Sequence, residues 1–404
     1  MNKTVSELNR RQFLGRLGLG VSASLLASSS LVQADDGTLA VDRVSALTKD
    51  ELPTAMVADH SLVQKAVQSS ECMMPSIETR LFASSNVGYD ETRNEVALQR
   101  VACAGFKVQN PEIVSRQYLR FAGTDSQRAS DLQNIATGAI AAPKLLLGVR
   151  GGYGASRILP MIDWATLGRI MQERGSILAG FSDVTAIQCA LLAKGGMSSL
   201  AGPMLYSEFG KNNPDQISCR QFVAALTSPK LVIEVDNANL TSPKLPMILA
   251  NNESQTITGT IWGGNLSVVS ALTGSEYLPR IDGGIVFLED VGEQTYRLER
   301  MLYELYLAGV FKRQQAIVFG SFSGTGEDSY DKRFDVATVV RQLHQLTGLP
   351  IYSGLRFGHI AQKSSFPLGA TCEIKPNTTG GYQLSFTDYP TIEAVAVSAQ
   401  GLWK

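Results

Sequence analysis

Short apolar runs alternate with amphipathic stretches along most of the chain, beginning near residue 80. The runs at 144–149 and 177–179 are short and continuous, which is typical of buried strands. The stretches 95–104 and 184–193 carry apolar residues at helical spacing. Strands that alternate with helices predict a parallel sheet covered on both faces, so the pattern predicts an α/β fold.

The pattern changes in the middle of the chain. The stretch 227–255 contains three prolines and a polar Asn-Asn-Glu-Ser run, which predicts a linker between two domains. An alternating strand follows at 256–262, and a buried strand follows at 285–288. We therefore expect a first domain at 79–226 and a second at 256–404.

The N-terminal segment has the pattern of an export signal. Arg10 and Arg11 precede an apolar stretch, 17–31, that is diluted by Gly, Ser and Ala, and small residues near Ala34 suit a processing site. The alternative is a membrane anchor, but this stretch is shorter than the ~20 residues that cross a bilayer. We predict a twin-arginine signal peptide at 1–34, cleavage near Ala34 and a periplasmic protein with no stable membrane span. Residues 35–78 have no sustained period and are interpreted as an N-terminal extension.

Composition narrows the possible partners and cofactors. The 404 residues carry 36 Lys and Arg against 37 Asp and Glu, a net charge of −1, which disfavours nucleic acid as a partner. Five scattered cysteines show no C-x-x-C motif and no histidine at metal-ligand spacing. We therefore expect neither a disulfide framework nor a zinc site, and we expect unpaired thiols that are buried before export.

The segment around Ser182 joins a buried strand directly to an apolar helix. A serine at such a corner exposes its hydroxyl, and the amide of the next residue, Asp183, points toward whatever the hydroxyl attacks. The pattern is incomplete, because Val184 stands where the nucleophile-elbow motif G-x-S-x-G has its second glycine. Serine and aspartate also cap helices, so capping is the alternative interpretation.

A glycine-rich loop follows the strand at 144–149. Gly151 and Gly152, followed by Tyr153, allow the backbone to approach a ligand closely and present its amides. The loop matches neither the phosphate-binding nor the dinucleotide-binding fingerprint, so an oxyanion or a peptide carboxylate is the better ligand. A tight turn without ligand is the alternative.

Two further polar residues follow strands in the second domain. Glu289 closes the run at 285–288, and His359 follows the strand-like 355–358. A carboxylate can hold an imidazole in one tautomer while the imidazole takes a proton from a serine. A solvated cap is the alternative for the glutamate. His344 on an amphipathic helix and His60 in the extension are interpreted as surface or packing residues.

Together these segments resemble the LD-carboxypeptidase family of serine peptidases. The resemblance covers about 81–403, and its motifs keep their order. These motifs lie at 83–89, 120–125 with Arg128, 150–154, 180–186, 202–204, 262–266, 288–290, 297–300 and 357–359.

The resemblance implies a flavodoxin-like N-terminal domain with the nucleophile and a smaller C-terminal α/β domain with a barrel-like sheet. Ser182 corresponds to the family's nucleophile, Glu289 to its acidic residue and His359 to its base. The amides of Gly152 and Asp183 correspond to the oxyanion site. Substrate binding is assigned to Gly151, Tyr153 and Asn265 in the same way.

The activity implied by the resemblance is release of the terminal D-alanine from murein tetrapeptides, without metal or organic cofactor and by a homodimer. Two alternatives stay open. Microcin C self-immunity peptidases have the same fold and cut an aminoacyl-nucleotide amide. An aromatic platform for the nucleobase would favour this alternative. An exported protein of this size could also bind murein peptides without cutting them.

Overall fold

The computed structural model describes residues 72–236, 245–250 and 255–404 of the chain. The predicted signal peptide, His60 and the extension up to residue 71 lie outside these ranges. The described residues form two sheets with helices between their strands. We call the first sheet and its helices the first lobe, and the second sheet and its helices the second lobe.

The first sheet has six strands in the order β2-β1-β3-β4-β5, with β12 beyond β5. The first five pair in parallel, whereas β12 pairs antiparallel with β5. This 2-1-3-4-5 order is that of flavodoxin-like folds, so the prediction for the first domain is confirmed. The strands are β1 (Ile77–Phe82), β2 (Phe106–Val108), β3 (Leu145–Gly148), β4 (Ile177–Gly180), β5 (Ser199–Ala201) and β12 (Phe366–Leu368).

Six helices connect or follow these strands. Their ends carry the expected residues: Asp90, Asp163 and Asp215 accept hydrogen bonds from backbone amides at helix starts, and Gly175 is left-handed at a helix end. All residues of β3 and β4 are buried, which explains why these strands read as continuous apolar runs. The helices are α1 (Glu91–Cys103), α2 (Asp125–Ala136), α3 (Ala155–Ile158), α4 (Trp164–Arg174), α5 (Thr185–Gly195) and α6 (Gln216–Thr227).

The second sheet has eight strands in the order β6-β14-β13-β8-β9-β10-β11-β7. Its centre, β8 to β11, is parallel, and the flanking strands are antiparallel. The strands are β6 (Leu231–Val235), β7 (Ile248–Leu249), β8 (Ile257–Asn265), β9 (Gly284–Val291), β10 (Gln314–Ser323), β11 (Ile351–Tyr352), β13 (Thr371–Pro376) and β14 (Tyr382–Thr387). The helices of this lobe are α7 (Leu266–Ala271), α8 (Thr295–Leu307) and α9 (Val336–Thr347).

The two edges of the second sheet approach each other without pairing. A Cβ placed on Gly354, just after β11, would lie 3.4 Å from the Val235 side chain of β6 and 3.2 Å from Met247. No ladder joins β6 to β7 in the described part of the chain, so the barrel-like sheet is open. Both strands lie within 227–255, and the predicted linker therefore contributes strands to this sheet.

A disulfide between Cys72 and Cys103 corrects the expectation of unpaired thiols. The two residues are 31 positions apart, and only the fold brings the end of α1 beside the start of the described chain. Closing a loop of this length contributes roughly 3–4 kcal/mol in the chain-entropy account. The other cysteines, Cys189, Cys219 and Cys372, are free and buried, as expected.

One further sequence-based interpretation is confirmed. His344 lies on α9, where its Nδ1 is 2.8 Å from the carbonyl oxygen of Leu349. Among the residues that the structure describes, no helix combines the length and the apolar character needed to cross a bilayer.

Candidate active site

Ser182 lies on a sharp turn between β4 and α5. The backbone is extended at Phe181 (φ −160°) and left-handed at Ser182 (φ 63°), a conformation that costs about 1–3 kcal/mol for a residue other than glycine. A Cβ on Gly180 would lie 2.8 Å from the Val184 side chain, so the turn needs glycine there. This strand–turn–helix geometry is that of a nucleophile elbow.

The side chains on this turn do not cap the helix. No side chain caps α5 or the short 3₁₀ turn Ser182–Val184 before it. The capping interpretation of Ser182 and Asp183 is therefore wrong, and both side chains have other partners.

His359 connects Ser182 to Glu289. Its Nε2 lies 2.9 Å from Ser182 Oγ, and its Nδ1 lies 3.0 Å from Glu289 Oε2. Ser182 belongs to the first lobe, whereas Glu289 lies in β9 of the second lobe and His359 follows β11 of that lobe. The fold thus brings together three residues that lie at or after the ends of different strands and are far apart in the sequence. Their arrangement has the geometry of a serine, histidine and carboxylate triad.

The electrostatic surroundings of His359 favour its protonated form. Burial alone would lower the pKa of the imidazole, but the hydrogen bond and the negative charge of Glu289 outweigh it, so the pKa is raised above its ordinary value. Glu289 itself is fully buried. A buried carboxylate in direct contact stabilises an imidazolium strongly, which suits a base that must accept a proton.

Asn265 donates a hydrogen bond to the Glu289 oxygen that does not contact His359. Its side-chain amide donates to Glu289 Oε1 at 3.3 Å and to Asp290 Oδ1 at 3.0 Å, and its backbone amide donates to Thr185 Oγ1 at 3.0 Å. Thr185 begins α5, so Asn265 connects the helix after Ser182 to the strand of Glu289. The side chain of Asn265 is buried against these partners.

The glycine-rich loop runs along Ser182. A Cβ on Gly151 would lie 2.8 Å from Ser182 Oγ and 3.6 Å from the amide nitrogen of Asp183. Gly152 has φ +117°, and a Cβ there would collide with the Asn86 side chain at 2.5 Å. The glycines therefore allow the loop backbone to approach its neighbours closely, and at Gly151 the neighbour is the Ser182 hydroxyl. The Tyr153 amide donates to Asn86 Oδ1 at 3.3 Å, and Tyr153 as a residue is 47% exposed.

The carboxylate of Asp183 supports two segments, the chain around Ser85 and the start of α3 after the glycine-rich loop. Its Oδ2 accepts from Ser85 Oγ at 2.6 Å and from the Ala155 amide at 2.8 Å. Burial raises the pKa of this carboxyl group, although the two hydrogen bonds act in the opposite direction. Arg128, also buried, donates to the carbonyl oxygens of Ser84 and Gly154. The sequence pattern indicated Asp183 for its amide or as a helix cap, and did not indicate this supporting function of its side chain.

A pocket opens in front of the Ser182 hydroxyl and the His359 ring. Its wall includes the glycine-rich loop and four charged side chains, which are Arg150, Glu208, Lys211 and Lys363. No pattern in the sequence indicated the last three, because they lie on irregular segments that only the fold brings to the site.

A flavodoxin-like lobe and an open eight-stranded lobe, with the site at their junction, define a two-lobed peptidase of the α/β class. Residues 80–202 match the LD-carboxypeptidase N-terminal domain and residues 258–374 match the LD-carboxypeptidase C-terminal domain. The chain belongs to the LD-carboxypeptidase family.

Individual relatives agree with this assignment. The murein tetrapeptide carboxypeptidase of Pseudomonas aeruginosa is 28% identical over 70% of this chain and 88% of its own. The crystal structure of muramoyltetrapeptide carboxypeptidase from Oxalobacter formigenes is 30% identical, covers 78% of this chain and 100% of its own, and superposes with a TM-score of 0.68. The microcin C7 self-immunity protein of Escherichia coli is 27% identical over 67% of this chain and 81% of its own.

Proposed function

We propose that this protein is a serine LD-carboxypeptidase that releases the terminal D-alanine from murein tetrapeptides. The bond cut joins an L-configured centre, that of meso-diaminopimelate or lysine, to D-alanine. The observation that carries the proposal is the hydrogen-bonded chain from Ser182 through His359 to Glu289. Two relatives, a murein tetrapeptide carboxypeptidase and a muramoyltetrapeptide carboxypeptidase, support the substrate class by their names.

The proposed reaction has two halves. Ser182 Oγ attacks the carbonyl carbon and its proton passes to His359 Nε2, while the amides of Gly152 and Asp183 receive the oxyanion. Collapse breaks the C–N bond, and the proton moves from His359 to the amine of the departing D-alanine. Water, deprotonated by His359, then attacks the acyl-serine ester; the ester C–O bond breaks, His359 returns the proton to Ser182 Oγ, and the tripeptide is released.

Incubation with a defined tetrapeptide tests the proposal. We expect equimolar free D-alanine and tripeptide, measured by D-amino-acid oxidase coupling and by mass spectrometry, in buffer that contains EDTA. A pentapeptide ending in D-alanyl-D-alanine is the control and should stay intact. Tetrapeptide that is bound but not cut would favour the murein-peptide-binding alternative and contradict the proposal.

The glutamate has a testable effect on pH dependence. A base works when it is deprotonated, so kcat/KM rises with pH until the raised pKa of His359 is passed. We expect Glu289→Gln to lower kcat about 10³–10⁴-fold and to move this inflection to lower pH, because burial remains while the carboxylate charge is lost. Glu173→Gln, an exposed glutamate, is the control. An unchanged inflection would contradict the assignment.

A specific observation keeps the aminoacyl-nucleotide alternative in view. Tyr89 and Tyr153 are 59% and 47% exposed, and the guanidinium carbons of Arg150 and Arg120 lie 5.9 and 5.7 Å from their ring centres. Exposed aromatic rings beside the glycine-rich loop are the platform on which a nucleobase could stack. Comparing kcat/KM for an aminoacyl sulfamoyl adenosine and for the tetrapeptide decides between the two substrates.

We also propose export by the twin-arginine pathway to the periplasm. The paired arginines and the Cys72–Cys103 disulfide support this location, because disulfides persist in oxidising compartments. Replacing Arg10 and Arg11 with lysine should keep the chain in the cytoplasm with both thiols reduced, as measured by fractionation and thiol alkylation. Export of this variant at the normal level would contradict the pathway.

The homodimer implied by the family resemblance is tested by light scattering.

A further inference from the structure

The pocket in front of the nucleophile has an excess of positive charge. Arg150, Lys211 and Lys363 line it, and Glu208 is the one carboxylate among its lining residues in the described part of the chain. A concave site with uncompensated cationic groups attracts an anionic ligand group. The question is which of the three cations is available to bind it.

Lys363 is neutralised by Glu208. Its side chain is 1% exposed, and its ammonium donates to Glu208 Oε1 at 2.8 Å while lying 4.5 Å from the centre of the Phe181 ring. The other oxygen, Glu208 Oε2, accepts from the Met204 amide at 3.0 Å. This buried pair satisfies itself and has little capacity for a ligand.

Arg150 is held at the rim by neutral groups. Its Nη1 donates to the carbonyl oxygen of Val87 at 2.6 Å, and its guanidinium lies 5.2 Å from the centre of the Tyr206 ring. These contacts fix the side chain against the wall. The charge of Arg150 adds to the local potential, but its orientation is already determined.

Lys211 is the cation with free donors. Its Nζ lies 3.8 Å from Glu208 Oε1, beyond hydrogen-bond distance, and its side chain is 39% exposed. Partial burial lowers the pKa of Lys211, and the neighbouring charges of Lys363 and Arg93 act in the same direction against the opposing effects of Glu208 and Asp215. A ligand carboxylate at this ammonium would relieve that unfavourable environment.

The turn that carries Lys211 is held rigidly. Arg100 donates from Nη1 to the carbonyl oxygens of Phe209 at 2.9 Å and of Lys211 at 2.5 Å, and from Nη2 to that of Asn212 at 3.2 Å. The turn follows the π-helical segment Leu205–Phe209, an irregularity that occurs often at functional sites. The ammonium of Lys211 is therefore presented from a fixed backbone.

We infer that Lys211 binds the free α-carboxylate of the terminal residue that the enzyme removes. The inference rests on the proposed function and deepens it by naming the residue that selects a chain end. A peptide extended beyond this residue would bring a neutral amide to the ammonium in place of a carboxylate. Burying a cation opposite a neutral group is unfavourable, so such a peptide is disfavoured.

Paired substrates test this inference. The tetrapeptide and its C-terminal amide differ only in the charge that Lys211 would meet. For the wild-type enzyme we expect kcat/KM to be at least about 30-fold higher with the free acid, the lower bound for a hydrogen-bonded charge pair. Lys211→Met should reduce this preference to a few-fold, mainly through KM, and Lys211→Arg should retain most of it.

The controls separate the two levels of the proposal. Lys230→Met, at an exposed position, should keep the wild-type preference. Hydrolysis of the amide by Lys211→Met reports that the variant is folded. If the wild-type enzyme cuts neither peptide, the proposed function fails. If the wild-type enzyme cuts both and Lys211→Met keeps the full preference for the acid, the function stands and the inference about Lys211 is overturned.

Discussion

Replacing Ser182 with alanine is expected to lower D-alanine release at least about 10⁴-fold, to the level that binding and the oxyanion site supply alone. The hydroxyl is the only group lost, and it lies 2.9 Å from the base. Alanine meets the same backbone strain at φ 63° as serine, so the turn has no reason to change. The measurement is single-turnover D-alanine release, with circular dichroism and thermal unfolding as the checks on folding.

The matched control is Ser156→Ala. This serine is exposed on α3, which follows the glycine-rich loop in the same lobe, and the variant should keep wild-type turnover. Trapping provides a second readout, since a serine-reactive fluorophosphonate should label the wild-type enzyme and Ser156→Ala at residue 182 but not Ser182→Ala. Folded Ser182→Ala protein with undiminished turnover would overturn the assignment of the nucleophile.

His359→Ala is expected to reduce turnover by a similar factor, because it removes both the base and the group that protonates the leaving amine. The ring of His359 lies between Glu289 and Ser182, so its removal leaves a space of imidazole size next to the hydroxyl. Imidazole added to the buffer should therefore restore part of the activity. The rescued rate should rise with pH as free imidazole loses its proton.

His344→Ala is the control for the histidine. Its Nδ1 hydrogen-bonds to the Leu349 carbonyl oxygen, and the variant should cut the tetrapeptide at the wild-type rate. If His359 had only a structural function, His359→Ala would have a lowered melting temperature and its activity would not recover with imidazole. That result would contradict its function as the base.

The two lobes depend on each other at the site. Glu289 and His359 come from the second lobe, yet β12 of the later chain pairs with β5 in the sheet that carries Ser182. The Asn265 amide also bonds to Thr185 at the start of α5. These contacts fix the distance between the Ser182 hydroxyl and the His359 imidazole, which is the distance that acyl transfer by the proposed triad requires.

Much of the fold was predictable because local patterns agreed with the tertiary structure. The continuous apolar runs at β3, β4 and β9 correspond to strands that are buried on both faces, and their polar ends hold Ser182 and Glu289. Ligand groups gather at the carboxyl ends of parallel strands, which is why the sequence predicts candidate site residues at these strand ends. His359 was found by its position after a strand-like run, although the structure has irregular backbone there.

The sequence patterns failed where the relevant contact is non-local. The Cys72–Cys103 bond has no local motif, since it needs only two Cβ atoms that the fold brings together. The linker prediction rested on prolines at 229, 243 and 246 and on a polar run, all of which lie outside β6 and β7, so it gave no sign of these two short edge strands. Lys211 and Glu208 carry no periodic signal because irregular segments are placed by tertiary contacts.

The sequence by itself determined the alternation of strands and helices, the turn at Ser182 and the residue types available for acyl transfer, because these depend on neighbours a few positions away. Only the tertiary structure decided that an imidazole 177 positions from Ser182 lies 2.9 Å from its hydroxyl, and that a buried carboxylate raises the pKa of that imidazole. Distance and burial are properties of the packed chain, since hydrogen bonds and desolvation act between groups that are close in space, whatever their separation in sequence.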